Sequence, residues 1–305
     1  MQILNAEQTA RALPYAQLVP AVAQAARELA QQQIQAPERL VVPMAEGGVL
    51  LAMPAVAHDL SVTKLVTVHP RNAAHGLPVI QGEVVVMDTA TGRRLALLDG
   101  PTVTARRTAA VTLLGIQMLA VQKPKSALLI GTGAQAAAHA DALVAHLGIA
   151  QFWVASRSLA SAQAFCTALQ MRHSQVHAVA LLVDDLEHAL PTTDLVLALT
   201  TSRTPVIPAH IAAHTLAIGV GAFKPDMAEF PPALLHSRQI VVDDLGGARH
   251  EAGDLLQAGV DWAQVRSLAS VLAAPLPPSK RAPVFKTVGQ AAWDLAAARV
   301  AIASL

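Results

Sequence analysis

The chain has 305 residues, a formal charge of +1, and 53% hydrophobic against 14% charged residues, which supplies one large or two ordinary cores and excludes a disordered polymer. Near-neutral charge and only 3% aromatic residues exclude a basic stripe with base-stacking platforms, so nucleic acid is not an expected partner. Apolar runs such as "LLI", "AVALLV" and "LVLAL" fall well short of the roughly 18 residues that cross a bilayer, which assigns the apolar surplus to a core or a subunit interface.

The start, "MQILNAEQTARALPY", lacks a basic-then-apolar leader pattern, and the single cysteine, Cys166, has no internal disulfide partner; cytoplasm is the expected setting. "LPYAQLVPAVAQAARELAQQQ" spaces Leu18, Val22, Ala25 and Leu29 along one helical face. "RLVVPM", "VLLAMP" and "KLVTVH" read as strands, and "EVVVMDTATGRRLALLDG" as a hairpin turning at Asp88 to Gly92. "TVTARRTAAVTLLGIQMLAVQ" is helical, placing Arg106 and Arg107 near a helix start. The first part is therefore α+β.

After "KPK" the pattern restarts. "SALLIG", "FWVAS", "VHAVAL", "DLVLALT", "TLAIGVG" and "QIVVDD" alternate with helical stretches, as parallel strands covered on both faces do. The expected fold class is α/β, with a Rossmann-type doubly wound parallel sheet over 122–275 and an α+β domain formed by 1–121 and 276–305. "APLPPSKRAP" reads as a linker before a final helix, "FKTVGQAAWDLAAARVAIASL", expected to return to the first domain.

"LLIGTGAQAAAHADAL" has the strand, glycine turn and helix order of a dinucleotide site. Gly131 permits the turn, Gly133 lets backbone approach a pyrophosphate, and Ala136 allows close helix packing. An NAD site carries an acid about 20 residues on; here Ser156, Arg157 and Ser158 offer hydroxyls and a cation suited to a 2′-phosphate. NADP(H) is the expected preference, with NAD(H) possible. No Cys/His cluster or HExxH helix occurs among the 12 histidines, so no metal is expected. His139 and His146 read as surface or helix-packing residues, and Ser202 lacks the surroundings of an acyl-transfer nucleophile. Lys64 opens an apolar strand, and Arg106 and Arg107 oppose a helix dipole, which an anionic ligand would relieve.

The stretches "APERLVVPMAEGGVLLAMPA", "KLVTVHPRNAAHGLP", "TGRRLALLDGPTVTARRTAA", "LLIGTGAQA", "IGVGAFKPDMAEF" and "VFKTVGQAAWDLAAA" together resemble the ornithine cyclodeaminase/mu-crystallin family, nearest its Δ1-pyrroline-2-carboxylate (ketimine) reductase branch. The resemblance implies a homodimer in which the first domain and C-terminal helix serve substrate binding and dimerisation. It makes Arg39 the substrate-carboxylate arginine, Lys64 the active-site lysine and Arg107 the arginine between substrate and cofactor. Ala134 and Gln135 match the phosphate-loop pair, Thr200 a cofactor-contacting threonine, and Thr287 a position near the nicotinamide.

Departures from the family pattern favour one activity. Cyclodeaminases carry an acid where Leu51 stands and an aspartate where Phe223 stands, and neither replacement can pair an ammonium. The expected reaction is NAD(P)H-dependent reduction of a cyclic ketimine carboxylate, with the proton donor open among Lys64, His69 and water. The alternatives are an ornithine cyclodeaminase, an alanine-dehydrogenase-like enzyme, or an NADPH-holding binding protein of mu-crystallin type.

Overall fold

The computed structural model, which describes residues 1–305 with the side chain of Ala73 excepted, separates into two units, Met1–Ala110 with Gln290–Leu305 and Val111–Gly289. The first begins with β1 (Gln2–Leu4), α1 (Ala6–Arg11) and α2 (Tyr15–Ala30). A capping box starts α1: Gln8 N donates to Asn5 Oδ1 at 2.9 Å, and Asn5 N to Gln8 Oε1 at 3.0 Å. Strands β2 (Leu40–Pro43), β3 (Val49–Val56), β4 (Leu60–Val68), β5 (Ile80–Asp88) and β6 (Arg94–Asp99) follow.

These form a six-stranded sheet in the order β1-β6-β5-β4-β3-β2, antiparallel except where β1 joins β6. The β5–β6 turn is closed by Asp88, whose carboxylate accepts from Thr91 N at 2.8 Å, and by Gly92 at φ +69°. Period-two alternation puts Met53, Lys64 and Val84 in one cross-strand row and Leu51, Val66 and Gly82 in the next. Gly82 is required there: at φ +141° its Cβ would fall 2.1 Å from Leu65 O. Lys64 stands among these apolar residues, while the other polar residues of the face, Gln2 and Asp88, lie on the edge strand and at the end of β5.

α3 (Gly100–Leu119) follows β6 directly. The second unit then alternates β7 (Ser126–Ile130), α4 (Ala134–Ala142), β8 (Gln151–Ser156), α5 (Leu159–Arg172), β9 (His177–Leu182), β10 (Leu195–Ala198), β11 (Leu216–Gly219), α6 (Pro232–Ser237), β12 (Ile240–Val242), α7 (Leu245–Glu251), α8 (Gly253–Ala258), β13 (Arg266–Ser267), α9 (Leu268–Ala273) and β14 (Val284–Lys286). Its eight strands are ordered β13-β12-β14-β11-β10-β7-β8-β9 and pair in parallel throughout. The chain enters at β7, builds outward to β9, then returns to lay β10 on the other side of β7. That reversal is the topological switch point where doubly wound sheets take ligands.

The unit boundaries differ from the sequence expectation of 121/122 and 275/276. One division falls inside α3, which runs without a break past Ala110. The other falls after Gly289, because Val284, Phe285 and Lys286 pair with both β11 and β12 and so belong to the parallel sheet. The last helix accordingly starts at Ala291, with Gln290 as its cap, instead of at Phe285. This α10 (Ala291–Ala303) packs on α2, β3 and β4 within the first unit. Arg299 fastens it by donating to Asp59 at 2.8 Å from both Nε and Nη2 and to Glu28 at 2.6 Å from Nη1.

Candidate active site

The lysine on the apolar face of the first sheet meets its partner from α10. Lys64 Nζ lies 2.9 Å from Asp294 Oδ2, and Arg107 Nε donates to Asp294 Oδ1 at 3.1 Å. Lys64 is 2% exposed and Asp294 fully buried, so one carboxylate holds two buried cations, and Arg107 uses only Nε for the contact. Burial pushes the Lys64 ammonium down to about 8, with the Asp294 charge opposing the fall and the Arg107 and Arg39 charges deepening it. That field brings half-buried Arg39 into the group. Sequence reasoning missed Asp294; its signal was one carboxylate inside the otherwise apolar "AAWDLAAA".

Arg106 and Arg107 sit well past the first turn of α3, which starts at Gly100, so the helix-dipole argument for an anionic ligand fails. Arg106 donates to Leu13 O at 2.7 Å and lies 4.3 Å from the centre of the Tyr15 ring, a packing role. His69 follows the end of β4 and packs on Gly48. Leu51 shares the Lys64 face of the sheet, one cross-strand row away, and puts no carboxylate there.

In the second unit Gly131 has φ +114°, and its Cβ would sit 2.7 Å from Leu199 O, so only glycine fits this turn. Gly133 is the N-cap of α4 and offers no side chain to its amides, which leaves them for an anion at Ala134 and Gln135. A cavity of about 420 Å³ is lined by Gly131, Gly133, Ser156, Arg157, Thr200 and Ser202 among others. Gln135 Oε1 is buried with no hydrogen bond among the described residues. Its backbone is fixed from behind by His139, which burial drives down to about 4 and so keeps neutral. The ring donates from Nδ1 to Gln135 O at 2.8 Å and accepts from Thr112 at Nε2, 3.0 Å away.

Four of the expected cofactor residues, Ala134, Gln135, Ser158 and Thr287, do not line this cavity. Ser158 caps α5 by accepting from Ser161 N at 3.3 Å, and Thr287 is buried beyond the end of β14, outside the cavity lining. Thr200 lines the cavity but donates its N and Oγ1 to Glu229, at 2.7 and 3.0 Å. Glu229 is a second residue that sequence reasoning missed.

A profile of the ornithine cyclodeaminase/mu-crystallin family matches residues 1–304. The chain belongs to this family. It is 48% identical to Delta(1)-pyrroline-2-carboxylate reductase 1 of Burkholderia multivorans over 98% of its own length and 94% of the relative's. It is also 48% identical to the Delta(1)-pyrroline-2-carboxylate/Delta(1)-piperideine-2-carboxylate reductase of Azospirillum brasilense, with the same coverage. Among solved structures, the Delta(1)-pyrroline-2-carboxylate reductase of Thermococcus litoralis, in complex with NADH and L-proline, superposes with a TM-score of 0.89 at 25% identity, covering 99% of this chain and 97% of that one. The family match and the fold therefore agree.

Proposed function

We propose that this chain is a reductase of cyclic imino acids, converting Δ1-pyrroline-2-carboxylate or Δ1-piperideine-2-carboxylate to the saturated amino acid with NADPH as the preferred cofactor. The observation that carries the reading is the buried Lys64–Asp294–Arg107 group on a sheet face whose Leu51 offers nothing to a second amine. The nearly full-length relatives at 48% identity bear the matching name.

The residues present fit a dinucleotide. A Cβ would fill the Gly131 turn, and the α4 amides carry no side-chain cap. No acid closes β8, where Ser156 and exposed Arg157 line the same cavity and suit a 2′-phosphate. When bound, the reduced nicotinamide supplies a hydride. Arg39 and the free Nη edge of Arg107 hold the substrate carboxylate by charge-assisted hydrogen bonds. Asp294 keeps Lys64 charged against the cost of burial, and Lys64 delivers its proton to the ring nitrogen as the carbon is reduced. The C=N bond becomes H–C–N–H, and Lys64 is recharged from solvent.

A homodimer is the assembly we assign, through β2 at the open edge of the first sheet. Every residue of that strand is exposed, with Leu40 at 61% and Val41 at 47%, and an uncovered apolar edge of this kind is an association surface. The one cysteine is a buried free thiol, which fits a reducing cytoplasm.

The test is the loss of NADPH absorbance on adding Δ1-pyrroline-2-carboxylate without ammonia, with ornithine plus NAD in parallel. Turnover independent of ammonia and none with ornithine is expected; a requirement for ammonia would mean an alanine-dehydrogenase-like reaction instead. In the same assay Arg157→Ala should raise the NADPH KM about tenfold, the loss of one charge-assisted contact, and leave the NADH KM as it was.

A further inference from the structure

Beneath the cavity, the loops after β7, β10 and β11 meet backbone to backbone. A Cβ on Gly131 would lie 2.7 Å from Leu199 O, and one on Gly221 only 1.8 Å from Thr200 O. Backbone bonds join these strand ends, Leu199 N donating to Ile130 O at 2.8 Å and Val220 N to Ala198 O at 2.9 Å. Glu229, fully buried, adds a side-chain tie between the β10 and β11 loops, with one oxygen for each. Its Oε1 accepts from Thr200 N at 2.7 Å and Thr200 Oγ1 at 3.0 Å; its Oε2 accepts from Gly221 N at 2.8 Å and Ala222 N at 3.0 Å. The backbone of Glu229 also accepts from Val206 N and Ile207 N, each at 3.0 Å, on the same loop as Thr200.

Four donors on one carboxylate favour its ionised form, since a protonated or amidated group loses an acceptor, and they work against burial and the Asp254 charge, which push the Glu229 carboxyl above the usual range. The counter-charge is present. Lys286 Nζ, on fully buried Lys286, stands 3.8 Å from Glu229 and 3.6 Å from Asp254, and makes no hydrogen bond among the described residues. It therefore acts through a charge shared between Glu229 and Asp254, and leaves both Glu229 oxygens to the loops. Lys286 is also the last residue of β14, and Thr287 N next to it donates to Gly219 O at 2.9 Å, so the ends of β11 and β14 are tied to the same cluster.

We propose that Glu229 is a positioning residue that presets the dinucleotide site, strapping the Thr200 loop with one oxygen and the Gly221–Ala222 turn with the other, while Lys286 balances its charge. The proposal rests on the reading that these loops receive the cofactor. Preset loops lower the ordering cost when the dinucleotide arrives, so the strap should act on cofactor affinity more than on turnover.

The experiment compares wild type, Glu229→Gln and Glu229→Asp for NADPH affinity by fluorescence titration, the KM of each substrate, kcat and thermal midpoint. Glutamine keeps one acceptor oxygen, so one loop faces an amide NH2; the expected result is an NADPH KM raised about tenfold, the scale of one buried donor losing its acceptor. The imino-acid KM and kcat stay near wild type, and Glu229→Asp, which keeps both acceptors, recovers part of the loss. A lower thermal midpoint with wild-type NADPH affinity would overturn the strap and leave a merely structural carboxylate. Absence of NADPH binding by wild-type protein would instead overturn the cofactor reading, and the purpose of the strap with it. Should Glu229→Gln not fold, hydrogen exchange on cofactor-free wild type decides: Thr200, Gly221 and Ala222 amides must be protected, and exchange as fast as at exposed loop amides overturns the proposal.

Discussion

At the scale of single residues, the proposed reaction depends on a balance around one ammonium. Burial and two arginine charges favour neutral Lys64, Asp294 favours the charged form, and the result lies at about 8. A proton donor works only while charged, so kcat/KM for the imino acid should hold through neutral pH and fall as pH rises through about 8. Asp294→Asn removes the attraction and leaves the opposing charges, so the fall should move to lower pH. The variant should also lose roughly 3–5 kcal/mol of stability, the cost of breaking a buried pair. pH–rate profiles and denaturant titrations of both proteins check this, and an unmoved limb would remove Asp294 from the control of Lys64.

At the scale of elements, much of the architecture is legible because buried parallel strands write themselves as short apolar runs. β7, β10 and β11 were readable from "SALLIG", "DLVLALT" and "TLAIGVG" on that ground. β14 was not, because a three-residue strand ending in a buried lysine looks like the approach to a helix. β1 escaped for another reason: its pairing to β6 spans most of the first unit's sequence and leaves no local pattern. Site residues follow the same rule. Gly131 and Gly133 stand in a local motif, whereas Asp294 takes its meaning from partners far along the chain and Glu229 from two loops that only the fold brings to one carboxylate. Edge strand β2 was read as a strand, and its exposure is what the proposed dimer rests on. Val41→Lys should shift sedimentation toward monomer with the far-ultraviolet spectrum unchanged, because a charge on an association edge opposes pairing; a persistent dimer would place the interface elsewhere.

At the scale of the whole molecule, each unit carries one part of the chemistry. The first gathers cations around a single carboxylate and fixes it through Arg299, which holds α10 to Glu28 and Asp59. The second presents a glycine turn and an uncapped helix end at the reversal of a parallel sheet. In the proposed reaction a proton source and a carboxylate anchor need a hydride donor. The most direct test follows the hydride itself. With NADPH deuterated at its transferable C4 position and Δ1-pyrroline-2-carboxylate as substrate, mass spectrometry of the product should show proline carrying deuterium at C2, with none incorporated when Lys64→Ala abolishes turnover. Proline formed from ornithine with ammonia release, or imino acid returned unlabelled while NADPH stays reduced, would contradict imine reduction as the function of this chain.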